Sequence, residues 1–186
     1  MSRIGKLSIK IPSEVSVGFS NNIINIKGPM GFLSQYINPS ICTIIEKDQI
    51  LFKNNFLKEK KCKSLHGLYR SLVNNMIIGV TKGFKKELEL VGIGYKVDLE
   101  KKDNLLKLHL GYSHAIFFKL PSEILIKLTV NKEKNHVVSL QSIDKQLLGQ
   151  VVSKIRFLRK VDPYKGRGVK FVGEKIIKKS GKEKQK

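Results

Sequence analysis

The chain has no tryptophan, two cysteines and five prolines in 186 residues, and acids are scarce, 15 against 36 lysines and arginines. Cys42 and Cys62 stand alone, outside any Cys-x-x-Cys or Cys/His spacing, which excludes a recognisable zinc motif and a disulfide framework. They read as reduced thiols of a reducing compartment. No uninterrupted apolar run approaches the roughly 20 residues of a spanning helix. The opening Met1–Ser2–Arg3 begins neither an Arg-rich amphipathic leader nor a signal-like apolar region. No membrane partner is expected.

Constellations that carry chemistry are missing as well. His66, His109, His114 and His136 are scattered, with no nucleophile, base and orienting group in a readable pattern. His114, following Gly111–Tyr112–Ser113, is the best isolated candidate for a role, and a turn histidine at a hairpin is the simpler reading. Gly92–Ile93–Gly94–Tyr95 lacks the third glycine of a dinucleotide fingerprint, and strand-like residues follow it. Glycines there mark a bulge or a close approach of another backbone. Glu87 and Glu89, alternating with Lys86 and Leu88, read as an exposed strand face. No catalytic residue, cofactor, metal or small-molecule substrate is expected. An enzyme acting on RNA would need clustered acids, a metal set or a histidine beside an acid.

What the chain has in abundance is positive charge, +21 in all. That much like charge opposes compaction of the free protein and calls for a polyanionic partner. Only five cations are arginine, and lysine, isoleucine and asparagine are over-used, which looks like AT-rich coding drift. Residues 1–82 hold 12 cations and 4 acids, residues 83–160 hold 15 and 8, and residues 161–186 hold 9 and 3. The last segment is the densest, which points to a basic extension on a globular body.

Patterning divides the body in two. Period-two alternation at Ile9 and Ile11, Val15 and Val17, Ile24 and Ile26, Ile41–Ile45 and Ile50–Phe52 predicts short strands. Leu65, Leu68, Leu72, Val73, Met76 and Ile77 then fall on one helical face, with Lys63, His66, Arg70 and Asn74 mostly opposite. Gly79 or Gly83 can end that helix. The second half repeats the order. Strand-like runs at Leu88–Leu90, Val97–Leu99, Leu106–Leu110, Ile116–Leu120, Ile124–Val130 and Val137–Leu140 are joined in part by turns such as Lys102–Asp103–Asn104. A helix follows on Ile143, Leu147, Leu148, Val151, Val152, Ile155 and Leu158, with Ser142 or Asp144 near its start. The expected fold is therefore α+β: two similar modules, each an antiparallel sheet covered on one face by a helix, plus a basic C-terminal extension. The expected divisions are residues 1–82, 83–160 and 161–186. Duplication requires that the two modules share one strand order.

Two segments invite a nucleic-acid reading. Gly28–Pro29–Met30–Gly31 has the Gly-x-x-Gly form of a backbone clamp, but strands rather than helices flank it, so a turn is preferred. The stretch from Pro163 to Lys179 is different. Lys165, Arg167 and Lys170 alternate with Gly166 and Gly168, and Tyr164 can stack on a base or sugar. A solvated tail explains the last lysines, whereas the glycine spacing suits an ordered phosphate contact.

Taken in order, Met1–Ser2–Arg3–Ile4–Gly5–Lys6, Lys27–Gly28–Pro29, Leu65–His66–Gly67, Asn74–Asn75–Met76, Glu87–Leu88–Glu89–Leu90–Val91–Gly92–Ile93–Gly94–Tyr95, Leu110–Gly111–Tyr112–Ser113–His114 and Pro163–Tyr164–Lys165–Gly166–Arg167–Gly168–Val169 resemble the bacterial-type large-subunit ribosomal protein six family nearly end to end. Departures are modest: Ser8 and Ala115 stand where that family commonly has proline, and Ile176–Ile177–Lys178–Lys179 where paired arginines are common. Lysine keeps the charge but loses the bidentate fork. The resemblance implies two related α+β domains with a C-terminal extension, and rRNA contacts near the factor-binding region and the stalk base. It also implies partners, large-subunit rRNA and neighbouring large-subunit proteins.

The expected role is a structural, non-enzymatic constituent of the large ribosomal subunit, in a plastid or other organelle or in the cytoplasm of an AT-rich bacterium. A plastid is slightly favoured by the codon drift. The expected rRNA-binding set is Arg156, Arg159, Lys160, Tyr164, Lys165, Gly166, Arg167, Gly168, Lys170, Lys175, Lys178 and Lys179, with Arg3 and Lys6 as a second, weaker set. The competing class is a free-standing basic nucleic-acid-binding protein with no ribosome attachment.

Overall fold

The computed structural model describes residues 2–46, 48–54, 60–100, 104–131 and 135–181. The last lysines, Lys182, Lys184 and Lys186, and most of the Lys102–Asp103–Asn104 turn lie outside them. The chain divides into two units, Met1–Phe84 with Ile143–Lys145, and Lys85–Ser142 with Gln146–Lys186. Residues 161–186, expected as a separate extension, are thus counted within the second unit.

In the first unit, β1 (Ile9–Lys10), β2 (Ser16–Ser20), β3 (Ile23–Gly28), β4 (Gly31–Tyr36), β5 (Ile41–Ile45) and β6 (Gln49–Asn54) precede α1 (Lys60–Thr81). The strands form two three-stranded antiparallel sheets, ordered β1-β6-β5 and β2-β3-β4. Asn21 and Asn22, at φ of 50° and 61°, make the two-residue turn between β2 and β3. Asparagine tolerates this left-handed geometry, which matches the twist of a hairpin. Ile24 and Ile26 of β3, Ile50 and Phe52 of β6, and Val73, Met76, Ile77 and Val80 of α1 are buried together in one core.

The buried stripe of α1 is rotated from the expected one. Cys62, His66, Val73, Met76, Ile77 and Val80 are buried, while Leu68 is 49% exposed. Steps of three and four residues connect that set through Tyr69, so spacing decides the face and residue type does not. His66, expected on the polar side, fits because its Nε2 lies 2.8 Å from the Phe52 carbonyl oxygen. Its imidazole also fills the space that a side chain at Gly5 would need.

Gly28–Pro29–Met30–Gly31 is the tight turn between β3 and β4, with Gly28 opposite Gly31. It seats on the end of α1, where Met30 N–H donates to the Val80 carbonyl at 3.0 Å. Carbonyls at a helix end have no partner within the helix, so the turn supplies one. A Cβ on Gly28 would lie 2.7 Å from Val80 Cγ2. Gly83, at φ 70°, closes the helix by donating to the Gly79 carbonyl at 3.0 Å.

The second unit runs β7 (Phe84–Val91), β8 (Lys96–Glu100), β9 (Leu105–His109), β10 (Ile116–Lys119), β11 (Leu125–Val130), β12 (His136–Ser142), α2 (Lys145–Leu158) and β13 (Gly168–Phe171). Its sheets are ordered β8-β9-β10 and β11-β12-β7-β13. Adding six to each strand number turns β5-β6-β1 into β11-β12-β7, and β2-β3-β4 into β8-β9-β10. The units therefore share one strand order, as duplication requires, and each holds two sheets rather than the single sheet expected. Among the described residues β13 has no counterpart in the first unit. Leu148, Val151, Val152 and Ile155 are the buried face of α2, and Asp144 stands at the position before its first residue, where a capping carboxylate suits the helix dipole.

Substituting Gly28→Ala should lower the unfolding free energy by about 1–3 kcal/mol, because the added methyl overpacks a fixed turn. Gly18→Ala, where a Cβ meets nothing within 4 Å, should change it by less than about 0.5 kcal/mol. Urea unfolding of the two variants beside the parent chain measures the difference.

Candidate nucleic-acid interface

The basic end of the chain is built on one aspartate. Asp162 Oδ1 accepts from the Tyr164 N–H at 3.0 Å and Oδ2 from the Lys165 N–H at 3.3 Å. Its carbonyl accepts from Gly166 N–H and its own N–H donates to the Arg167 carbonyl, both at 2.8 Å. These four bonds curl residues 162–167 into a loop. Gly166 supplies the positive φ, 69°, that lets the loop turn back. Gly168, at φ 142°, passes so close to the preceding stretch of chain that a Cβ would lie 2.7 Å from the Lys160 carbonyl oxygen. Only glycine fits.

β13 then pairs with β7, placing Lys170 opposite Glu89 and Phe171 opposite Leu88. The sequence suggested an arm at this point. The backbone instead joins a sheet, with Val169 fully buried. Beyond β13 the chain returns, and the Lys179 N–H donates to the Pro163 carbonyl at 3.0 Å. Lys178 runs beside Gly166. The return brings Lys178 and Lys179 alongside the loop that carries Lys165 and Arg167.

The expected site residues therefore separate into two kinds. Tyr164, Lys165, Arg167, Lys178 and Lys179 are exposed around the loop, Lys175 is exposed just beyond β13, and Gly166 and Gly168 shape the loop's backbone. Arg156 and Lys170 are turned to partners within the unit. Arg156 forms an ion pair with Glu174 and lies 5.2 Å from the Phe171 ring centroid. Glu174 also accepts from the Phe171 N–H at 2.9 Å, so one carboxylate ties α2 to the end of β13. Lys170 Nζ lies 3.3 Å from Glu89 Oε2. Arg3 and Lys6 are exposed in the first unit.

Glu89 departs from the exposed strand face expected of it. It is 6% exposed, and Asn135 Nδ2 donates to its Oε1 at 3.0 Å. Burial works against its charge, but hydrogen bonds from Asn135 and Lys170 and the lysine's charge outweigh that and hold its pKa below the ordinary carboxylate value. Glu87, paired with Lys85 at 2.6 Å, is half-buried.

Beside the loop, sequence reasoning picked out Arg159 and Lys160 but passed over the aromatic groups around them. Gly92–Ile93–Gly94 is the turn between β7 and β8, not a continuing strand, and the Tyr95 ring packs where a Cβ on Gly92 would be, 2.7 Å away. The β9–β10 connection carries Tyr112, whose hydroxyl donates to the Leu158 carbonyl at 2.9 Å. Arg159 lies with its guanidinium 4.8 Å from the Tyr112 ring centroid. Hydrogen bonding to Tyr112, then to Tyr95, raises the pKa of an already permanent cation. Lys160 Nζ sits 5.2 Å from the ring of Phe157. His114 belongs to the same exposed connection, its ring stacked 6.4 Å from Tyr112 and its Nδ1 3.5 Å from Ser113 Oγ. The turn motifs signal these residues, but nothing in the sequence says that two turns and a helix end converge. Tyr95, Tyr112, Phe157, Arg159 and Lys160 border a hollow of about 690 Å³ that Lys165 and Arg167 also line, and His114 is not among its lining residues.

The Lys170–Glu89 pair makes a testable distinction. A depressed folded-state carboxylate pKa stabilises the fold above the unfolded value, and that contribution is lost as pH falls through the folded value. Lys170→Met should therefore cost about 1–3 kcal/mol near neutral pH, by leaving a buried carboxylate without its cation. The gap from the parent chain should close below about pH 4. Urea unfolding across that pH range reads it.

A family model described as ribosomal protein L6 matches residues 11–83 and 91–172, one block in each half of the chain. The large ribosomal subunit protein uL6 of Amoebophilus asiaticus is 54% identical over 183 residues, covering 98% of both chains. The proteins of that name from Bacteroides fragilis and Porphyromonas gingivalis are each 52% identical, covering 98% of this chain and 97% and 98% of theirs. These relatives are bacterial, so the lean toward a plastid drawn from the excess of lysine, isoleucine and asparagine finds no support. With both halves matched and the similarity running nearly end to end, the chain belongs to the ribosomal protein L6 family.

Proposed function

We propose that the chain is a structural, non-enzymatic constituent of the large subunit of a bacterial ribosome, and that it holds large-subunit rRNA through the basic face of its second unit. The relatives' shared name supports the first part. The observation that carries the second is the braced loop at Asp162, around which Tyr164, Lys165, Arg167, Lys178 and Lys179 are gathered in exposed positions. Phosphate contacts of this kind position a protein without reading base sequence. RNA shape supplies the selectivity.

Arg159 and Lys160 extend the same face toward the end of α2, while Gly166 and Gly168 act by shaping the backbone. Arg156 and Lys170 contribute by holding β13 in place, and Lys175 stands exposed just beyond β13. Arg3 and Lys6 form a second, weaker contact on the first unit. In this reading the contact lies near the factor-binding region and stalk base, as the resemblance in sequence implies, with neighbouring large-subunit proteins as further partners. A localisation in the bacterial cytoplasm, on the ribosome, follows from the same reading.

Changing Lys165, Arg167, Lys175, Lys178 and Lys179 together to glutamine should flatten the dependence of rRNA affinity on salt. Each phosphate that the protein neutralises adds about 0.7–0.9 to the slope of log affinity against log salt, so neutral side chains here should make the slope shallower. Fold stability should stay near that of the parent, since these side chains are exposed. An unchanged slope would move the contact elsewhere on the protein. Sedimentation supplies the companion measurement: the parent chain should travel in stoichiometric amounts with large subunits, and a pool at the top of the gradient would favour a free-standing nucleic-acid-binding protein.

A further inference from the structure

We infer that the hollow beside the Asp162 loop is a pocket for one unstacked RNA base, so that the second unit recognises a bulged or looped nucleotide as well as the phosphates around it. This rests on the rRNA reading above and assigns a distinct task to residues outside the phosphate set.

Three observations converge. The first is aromatic and apolar surface left open to solvent beside dense positive charge. Phe157 is 68% exposed, Ile93 82% and Tyr112 43%, and all three border the hollow. A core has no use for them there, whereas base faces stack on such groups whatever their sequence. The second is size. About 690 Å³ lies within the roughly 300–1,000 Å³ of pockets that enclose small ligands. The third is the arrangement of charge. Arg159 already stacks its guanidinium on Tyr112, leaving an extended cation–aromatic surface. Lys160, Lys165 and Arg167 line the same hollow, where a sugar–phosphate strand leading to an inserted base would run. Asp162 is the acid among the lining residues, and both its carboxylate oxygens accept from backbone N–H groups.

The walls are also fixed. Tyr95 is packed against Gly92, with Gly111 beside its ring, and Tyr112 is anchored through its hydroxyl to the Leu158 carbonyl. A preformed pocket loses little freedom on binding. Paired bases in a continuous A-form helix present no faces to it, so the occupant is an unpaired nucleotide.

The test uses the full chain and two fluorescently labelled RNA hairpins of equal phosphate number, one fully paired and one carrying a single unpaired purine. The parent should bind the bulged hairpin about tenfold more tightly at equal salt, in keeping with one stacked base. Phe157→Ala, at an exposed position, should bring the bulged hairpin down to the affinity of the paired one, and Phe157→Tyr should keep the preference. Equal, salt-dependent binding of both hairpins by the parent would overturn the base pocket while leaving the phosphate contact intact. So would an equal weakening of both hairpins by Phe157→Ala. Failure of the parent to bind either hairpin would overturn both readings.

Discussion

The pairing of β13 with β7 is the junction on which the basic end of the chain depends. Four residues of backbone register fix where residues 162–167 begin their loop and where residues 174–179 return from. Around that register two internal ion pairs act as fasteners, Lys170 with Glu89 and Arg156 with Glu174. In a protein of formal charge +21, these two cations are committed to internal carboxylates, and the exposed Lys165 and Arg167 stand on a braced loop. Self-repulsion would otherwise spread a lysine-rich segment into solvent. The sheet opposes this with hydrogen bonds that salt does not screen.

Shared strand order gives the second unit's elaboration a clear meaning. The same six strands and helix serve both units, and the second adds β13 and the loop that precedes it. The sheet edge formed by β1 in the first unit is the edge that β13 covers in the second. The basic face is thus an addition to a repeated frame rather than a reworking of it.

Much of this was legible in the sequence where one physical signal dominated. Ile24 and Ile26 alternate with Asn25 and Lys27, Ile41–Ile45 is a short, largely β-branched run, and the α2 face repeats at helical spacing, so strands and helix are plain. β4 is hard to see because Gly31, Ser34 and Gln35 dilute the alternation of Phe32, Leu33 and Tyr36. β13 is hidden more deeply. Two of its four residues are glycine and lysine, which look like a flexible basic strip until the partner strand is known. His66 shows the same limit, since its burial rests on a carbonyl 14 residues earlier in the chain. The cations of this segment were visible as charge, but which of them are committed to Glu89 and Glu174 depends on register and on the return of the chain. The aromatic hollow needed three separated segments brought together, and no local pattern encodes that.

β13 also imposes an order on the making of the protein. It closes onto β7, a strand more than 70 residues earlier, so this pairing is among the most distant in the second unit. Closing so long a loop is entropically costly and comes late in folding. Until it happens, one edge of β7 is without its ladder and the Asp162 loop has no anchor. A chain that stops short of β13 has neither the completed sheet nor the braced loop, so the basic face exists only once this long-range pairing has formed.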